Sequence, residues 1–302
     1  MITDKENEFY KLPTRRNKGL RRKVGEWDRN SFGCRILSLR CLATLMREGD
    51  FSASDLLEFS RSAIHKDQFR DMSGPNQFQM FWLDGPLDWM AKLCVRSFIR
   101  FPGVDLHLYS YDKNSDPKLS GCVWKDAEEI LPYEIVDQYR RKMRMGYAPA
   151  SDIFRYQLLW QKGGWYFDTD CLLIKPLNPL FDLDYAFAWE ELALINNGVI
   201  KFPRGHVMLK RMYERCMRFD PKTYMWADSG PTIFTKYLAK FGLLGRTLPS
   251  EYFYPIHYTN LEAFRQRFSP AARTFVIHLW HGVLRTWTLG DMHEFLSSLE
   301  LT

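Results

Sequence analysis

Apolar residues in this chain change rhythm several times, and each rhythm predicts an element. Ile36, Leu37, Leu39, Leu42, Ala43, Leu45 and Met46 recur at helical spacing and stop near Gly49. Ser52-Ala53-Ser54-Asp55 offers an N-cap for a second helix reaching about His65. The cluster Ser73-Gly74-Pro75-Asn76 then breaks the chain. Beyond it, Phe78–Leu83 is a mostly apolar run, with Gln79 its one polar residue, that reads as a strand, closed by Asp84-Gly85-Pro86. Trp89–Ile99 is an amphipathic helix, and Val104–Tyr111 alternates as a second strand. Strand, helix, strand implies a parallel sheet with a right-handed crossover.

Ala127–Met145 is charged and mixed, a helix with a loop around Met145-Gly146-Tyr147. Ser151 is expected to cap a helix carrying Asp152 and Arg155, stopped by Gly163. Trp165–Phe167 is the next strand. Tyr185–Trp189 and Gly198–Phe202 are candidate strands, Val207–Phe219 and Pro231–Phe241 candidate helices, and Thr274–Trp280 a late strand. The class is α/β. The expected organisation is a basic arm and helical extension over residues 1–75, then one main domain over 76–302.

Composition narrows this picture. A 302-residue chain with 46% hydrophobic residues buries a large core and is not disordered. The net charge of +6 is mild and demands no nucleic acid. Its distribution matters more, because Lys11, Arg15, Arg16, Lys18, Arg21, Arg22 and Lys23 form a run with no acid between them. A solvated arm is the plain reading, and peripheral contact with an anionic membrane or docking to an acidic partner is the functional one. Nucleic acid is not expected, since no recognition fold accompanies the run. Cys34, Cys41, Cys94, Cys122, Cys171 and Cys216 show no zinc spacing, which favours a reducing compartment. No signal peptide or membrane-spanning segment is visible, so a cytoplasmic location or the cytoplasmic face of a membrane is expected.

The candidate chemistry lies in Gly163-Gly164-Trp165-Tyr166-Phe167-Asp168-Thr169-Asp170. Carboxylates at i and i+2 of extended chain point to one side, and at a strand's carboxyl end they make a hard-oxygen site for a divalent cation. Upstream, Asp152 and Arg155 share a helix face, which suits either a local ion pair or sugar and phosphate contacts.

The run from Ser151 to Pro176 resembles the sugar-binding region of DXD-containing glycosyltransferases. It looks most like glycosyltransferase family 32 and its relatives, which include Golgi mannosyltransferases, capsular polysaccharide sugar transferases and glucosylating toxins. Phe81–Pro86, Met90–Phe98 and Leu106–Asp112 resemble that family's opening strand, helix and strand, and Ile277-His278-Leu279-Trp280 its closing motif. The likeness spans roughly residues 76–290.

The resemblance implies a GT-A-like fold, a Rossmann-like mixed sheet flanked by helices. It implies Mn²⁺ or Mg²⁺ on Asp168 and Asp170, with Thr169 between them beside the donor, and a donor sugar held by Asp152 and Arg155. Trp82 would stack on the base, Trp280 would close over the diphosphate, and Asn197 would lie near the donor sugar and the acceptor. His278 would complete the metal shell, with His281 close enough to compete for that place.

The implied activity is a retaining, metal-dependent transfer from a nucleotide sugar, a UDP- or GDP-sugar, to a glycan, lipid-linked or protein hydroxyl, as in surface polysaccharide or glycan synthesis. Two other readings compete: a metal-dependent phosphohydrolase, which would want more clustered acids and histidines, and a non-catalytic interaction protein on a transferase scaffold.

Overall fold

The computed structural model describes residues 77–299 apart from Asp84, residues 113–118, Ser120, Met145, Leu192, Trp226, Arg267 and Arg285. The expected basic arm and helical extension over residues 1–75 lie outside the described residues.

The elements in chain order are β1 (Phe78–Trp82), α1 (Trp89–Ile99), β2 (Leu106–Ser110), β3 (Cys122–Asp126), α2 (Tyr133–Met143), α3 (Ala148–Lys162), β4 (Gly164–Phe167), β5 (Cys171–Leu173), β6 (Trp189–Glu191), β7 (Leu194–Ile195), β8 (Val199–Phe202), α4 (Val207–Met217), α5 (Ile233–Lys240), β9 (Val276–His278), α6 (His281–Leu284) and α7 (Leu289–Ser298). A five-stranded sheet runs β3-β2-β1-β4-β8. β1 is parallel to both β2 and β4, and β8 closes the β4 edge antiparallel. The fold is the mixed, helix-flanked sheet that the resemblance implies.

This strand order decides where a ligand site can form. From β1 the chain moves to β2 and β3 on one side, then returns to place β4 on the other. The connections therefore part at the carboxyl ends of β1 and β4. Such a switch point leaves a crevice that neither connection fills. Asp168 is the residue directly after β4.

Two cores flank the sheet. Phe78, Met80, Trp165 and Phe167 face one side, against α1, β5 and β9. Phe81, Tyr109 and Tyr166 face the other, against α2, α3, α4 and α5. The period-2 alternation of a strand sends neighbours Trp165, Tyr166 and Phe167 to opposite layers. Phe81 stacks on Phe154 with ring centroids 3.8 Å apart, which fixes α3 to β1.

Several expected elements differ in detail. β3 was not foreseen, because Cys122-Val123-Trp124-Lys125-Asp126 is an exposed edge strand with little apolar periodicity. Ser151 does not cap its helix. α3 begins at Ala148 with Pro149 in its first turn, where a missing N–H costs nothing. Ser151 instead turns its hydroxyl towards Arg155 and Tyr166. The Tyr185–Trp189 strand reduces to isolated bridges at Ala186 and Ala188 followed by the short hairpin β6–β7. α7 was missed although Thr288 and Asp291 form a reciprocal capping box at its start.

Gly163 ends α3 as expected, with φ of 68°. A Cβ there would meet the Arg204 backbone nitrogen at 2.5 Å, so both conformation and space demand glycine. This close turn feeds the chain directly into buried β4.

Candidate active site

The DXD segment leaves β4 as a turn, closed by Cys171 N–H donating to Asp168 O at 3.0 Å. The two acids are therefore not on one extended strand, and the simple i, i+2 argument does not apply. A histidine from another strand faces each of them. β5 pairs antiparallel with β9, with Cys171 opposite His278. This register sets His278 Nε2 at 3.4 Å from Asp170 Oδ1 and 3.9 Å from Asp168 Oδ2. Asp168 and Asp170 keep 23% and 17% of their side-chain surface exposed, so the pair is accessible, while His278 keeps 7%.

The structure distinguishes the two histidines. His281 turns its ring away to Asp88, the N-cap of α1, at 2.8 Å. It still contributes its backbone N–H, which donates to Asp170 Oδ2 at 2.9 Å. His278 is the imidazole that faces both acids. Trp280 N–H donates to its Nδ1 at 3.3 Å, which leaves Nε2 as the protonated nitrogen opposite the carboxylates. Burial alone would lower the His278 pKa, but Asp170 and Asp168 outweigh it and the value is raised.

Asp168 is anchored on its other oxygen. Its Oδ1 accepts from Arg155 Nη2 at 2.8 Å and from Tyr166 O–H at 3.1 Å. Burial pushes the Asp168 carboxyl up, yet the Arg155 charge, with His278 nearby and the Tyr166 hydroxyl donating, holds it below the usual carboxylate range. Arg155 is only 4% exposed and spends its donors inside the protein. It reaches the Asn197 carbonyl at 2.7 Å, the Ser151 hydroxyl at 2.9 Å and the Ser151 carbonyl at 3.3 Å. Its guanidinium also lies over the Tyr166 ring, 4.8 Å from the centroid.

Asp152 sits one layer deeper. Its Oδ1 accepts from Asn197 Nδ2 and its Oδ2 from Ser229 O–H, both at 2.8 Å, and Arg155 Nη1 lies 3.6 Å away. Burial raises its pKa against the pull of Arg155, Asn197 and Ser229. Tyr156 O–H bonds the Ser229 carbonyl at 2.7 Å and receives Asn197 Nδ2 at 3.1 Å. Asn197 therefore lies in the same network as Asp152 and Arg155.

The remaining candidates are more peripheral. Trp82 is half-buried, its indole N–H donating to Gly85 O at 3.1 Å. Trp280, with φ of 55°, packs its ring against His278 at 4.2 Å and donates to Ile256 O at 2.8 Å. Thr169 is a partly exposed turn residue. Asp228, which precedes Ser229, binds its own loop, accepting from Met225 N–H at 2.8 Å.

Sequence reasoning missed Tyr166, Ser151 and Tyr156 as parts of the site. A tyrosine inside an aromatic strand carries no signal of its own. Only the pairing of its hydroxyl with Asp168 marks it.

The donor set fits a hard divalent cation. Two carboxylates with one imidazole suit a hard or borderline divalent cation. Asp170, Cys171 and His278 also bring ligand atoms within 4.8 Å of one another. Burial and the two acids push the Cys171 thiol pKa well up, and its sulfur points towards Gly198 O, while Asp168 Oδ2 lies outside this group but 3.9 Å from His278 Nε2. A gap is kept open between the donors. A Cβ on Gly198 would lie 2.7 Å from Asp168 Oδ2 and 3.1 Å from His278 Nε2.

Residues 104–187 match the family described as glycosyltransferase sugar-binding region containing DXD motif. This stretch of the chain is similar to DXD-type glycosyltransferase sugar-binding regions. The matched stretch contains Asp152, Arg155, Asp168 and Asp170, while Asn197 and His278 lie beyond it.

Among curated proteins, lactosylceramide 4-alpha-galactosyltransferases are similar. The Pongo pygmaeus protein is 26% identical over 43% of this chain and 66% of its own length, and the Homo sapiens protein 26% over 43% and 41%. The Rattus norvegicus protein is 28% identical over 40% of its length. The chain thus spans between two-fifths and two-thirds of these relatives.

Two solved structures share low similarity. The galactosyltransferase LgtC, in complex with donor and acceptor sugar analogues, is 14% identical with a TM-score of 0.43, covering 75% of this chain and 97% of that one. The catalytic domain of alpha-toxin from Clostridium novyi is 10% identical with a TM-score of 0.42, covering 92% and 94%.

Proposed function

We propose that this protein is a metal-dependent retaining glycosyltransferase that moves a sugar from a nucleotide-sugar donor, a UDP- or GDP-sugar, to an acceptor hydroxyl. The observation that carries this reading is the meeting of Asp168, Asp170 and His278 at the carboxyl end of β4, beside the sheet's switch point. Asp168 Oδ2 and Asp170 Oδ1 would hold Mn²⁺ or Mg²⁺. A bound cation would supply Lewis-acid stabilisation of the charge that develops on a departing diphosphate, an effect of several kcal/mol.

The chain's own residues prepare that site. Arg155 and Tyr166 hold Asp168 by one oxygen, which leaves the other free and ionised. His278 Nδ1 accepts from Trp280 N–H, so Nε2 is the ring nitrogen that faces the two acids and would face a bound cation. Asp152 and Asn197 form the floor on which the donor sugar would rest, with Thr169 beside it. Trp82 would stack on the base and Trp280 would pack over the diphosphate.

The curated relatives are named for lactosylceramide, so a terminal sugar hydroxyl of a glycolipid is the first acceptor to try. A glycan chain or protein hydroxyl is the next. Residues 11–23 would assist by contact with an anionic membrane. We place the enzyme in the cytoplasm or on the cytoplasmic face of a membrane, a reading supported by the free thiols of Cys94, Cys122, Cys171 and Cys216. Among the described residues no helix is long and apolar enough to cross a membrane.

The deciding experiment is a calorimetric screen of nucleotide sugars with and without Mn²⁺. One donor is expected to bind only with the cation present. If none binds under either condition, the reading fails.

A further inference from the structure

Glu190 lies on the short hairpin strand β6, outside the five-stranded sheet, and is 8% exposed. No residue of the DXD segment touches it directly in a hydrogen bond. It is nevertheless joined to that segment by three successive hydrogen bonds. Asn196 Nδ2 donates to Glu190 Oε2 at 2.6 Å. Gly198 N–H donates to Asn196 Oδ1 at 2.6 Å. Asp168 N–H donates to Gly198 O at 2.7 Å.

We propose that Glu190 is a positioning residue for the DXD turn, acting through Asn196 and Gly198. The inference rests on the reading of Asp168 as a cation ligand.

Three physical points support it. A buried carboxylate is costly, and an apolar residue of similar size would serve a merely packed position better. Its retention beside Asn196 is explained if the acceptor is needed. Next, the registered β4–β8 ladder ends at Phe167 opposite Val199. The Asp168–Gly198 bond lies just past that end, where the sheet no longer fixes the backbone and a side-chain tether has something to do. Finally, tolerance at Gly198 is tight. A Cβ there would meet Asn196 Oδ1 at 2.9 Å and Asp168 Oδ2 at 2.7 Å, so a small shift of the Asn196–Gly198 turn moves the carboxylate.

The role requires an acceptor, not a charge. Burial pushes the Glu190 pKa up to about 7, and its oxygen accepts from Asn196 whether or not it is protonated. Glutamine therefore keeps the tether, while alanine and methionine remove it. Methionine also fills the volume and guards against a variant that fails to fold.

The test uses the full chain without metal, followed by Mn²⁺ alone. Hydrogen exchange at the Asp168 and Gly198 amides is expected to speed at least tenfold in Glu190→Ala and Glu190→Met, with α1 unchanged. Glu190→Gln should exchange like the parent. Mn²⁺ affinity should fall at least fivefold in the first two variants and stay within twofold in Glu190→Gln.

Unchanged exchange at those two amides would overturn the proposal. So would a rise spread evenly over the chain, or a Glu190→Gln variant as fast as Glu190→Ala. A parent protein that binds no Mn²⁺ would remove the cation reading instead, while the exchange result still decides what Glu190 positions.

Discussion

Arg155 Nη2 lies 2.8 Å from Asp168 Oδ1, so the buried guanidinium of α3 reaches across to hold the first acid of the DXD motif by one oxygen. That contact divides the carboxylate into an anchored side and an accessible side. It also turns Arg155 from an expected donor-sugar contact into the centre of a network that joins α3, the DXD turn and the Asn197 backbone.

Replacing Arg155 therefore tests architecture as well as activity. Arg155→Met leaves the buried Asp152 and the partly exposed Asp168 without their cation, which should cost about 3–5 kcal/mol of stability. Arg155→Lys keeps the charge but loses the planar fork that spans three partners, so it should recover only part of that loss. Urea unfolding of both variants checks this. Equal stability of all three proteins would show that the network does not hold the fold.

Gly198→Ala should separate stability from function. The added methyl meets Asp168 Oδ2, Asn196 Oδ1 and His278 Nε2, the ends of tethered side chains that must shift to admit it. Folding should be disturbed by no more than about 1–2 kcal/mol, the range for modest overpacking. Mn²⁺ binding, read by calorimetry, should be lost or weakened by at least tenfold.

Asp168→Asn and Asp170→Asn each remove one anionic ligand while keeping size. Loss of several kcal/mol of cation-mediated stabilisation corresponds to a fall of about two to three decades in transfer rate. The check is donor turnover at saturating Mn²⁺. A variant that retains a tenth or more of the parent rate would place the cation elsewhere.

Glu190 predicts a pH dependence of folding. Its folded pKa, about 7, stands above the unfolded value of 4.5 because burial penalises the charged form. The folded state thus binds this proton more tightly. The associated stability is complete below about pH 4.5 and is lost as pH rises to about 7. Glu190→Gln, which cannot ionise, should gain on the parent by roughly 3 kcal/mol between pH 5 and pH 8. Unfolding at the two pH values reads the difference, and a constant offset would contradict the buried, high-pKa state.

Much of this was legible in the chain. Phe78–Trp82 and Trp89–Ile99 announced themselves by apolar runs and helical spacing, because burial on two faces or one face leaves that imprint directly. Asp168 and Asp170 were marked by their place after a wholly aromatic strand. Elements with weak periodicity were not marked. β3 is a partly exposed edge, and β6–β7 is too short for any pattern to accumulate.

The sequence by itself determined that the chain is α/β, that the acids follow a buried strand, and that Asp152 and Arg155 share a helix face. These are local facts, set by propensity and by residues a few positions apart. The tertiary structure alone decided that the DXD pair converges on His278, not on His281, because that choice depends on the β5–β9 register across more than a hundred residues. It alone set Arg155 against Asp168 and linked Glu190 to the DXD turn. Hydrogen bonds between segments distant in the chain leave no periodicity to read, since they are specified by the packing of the whole fold.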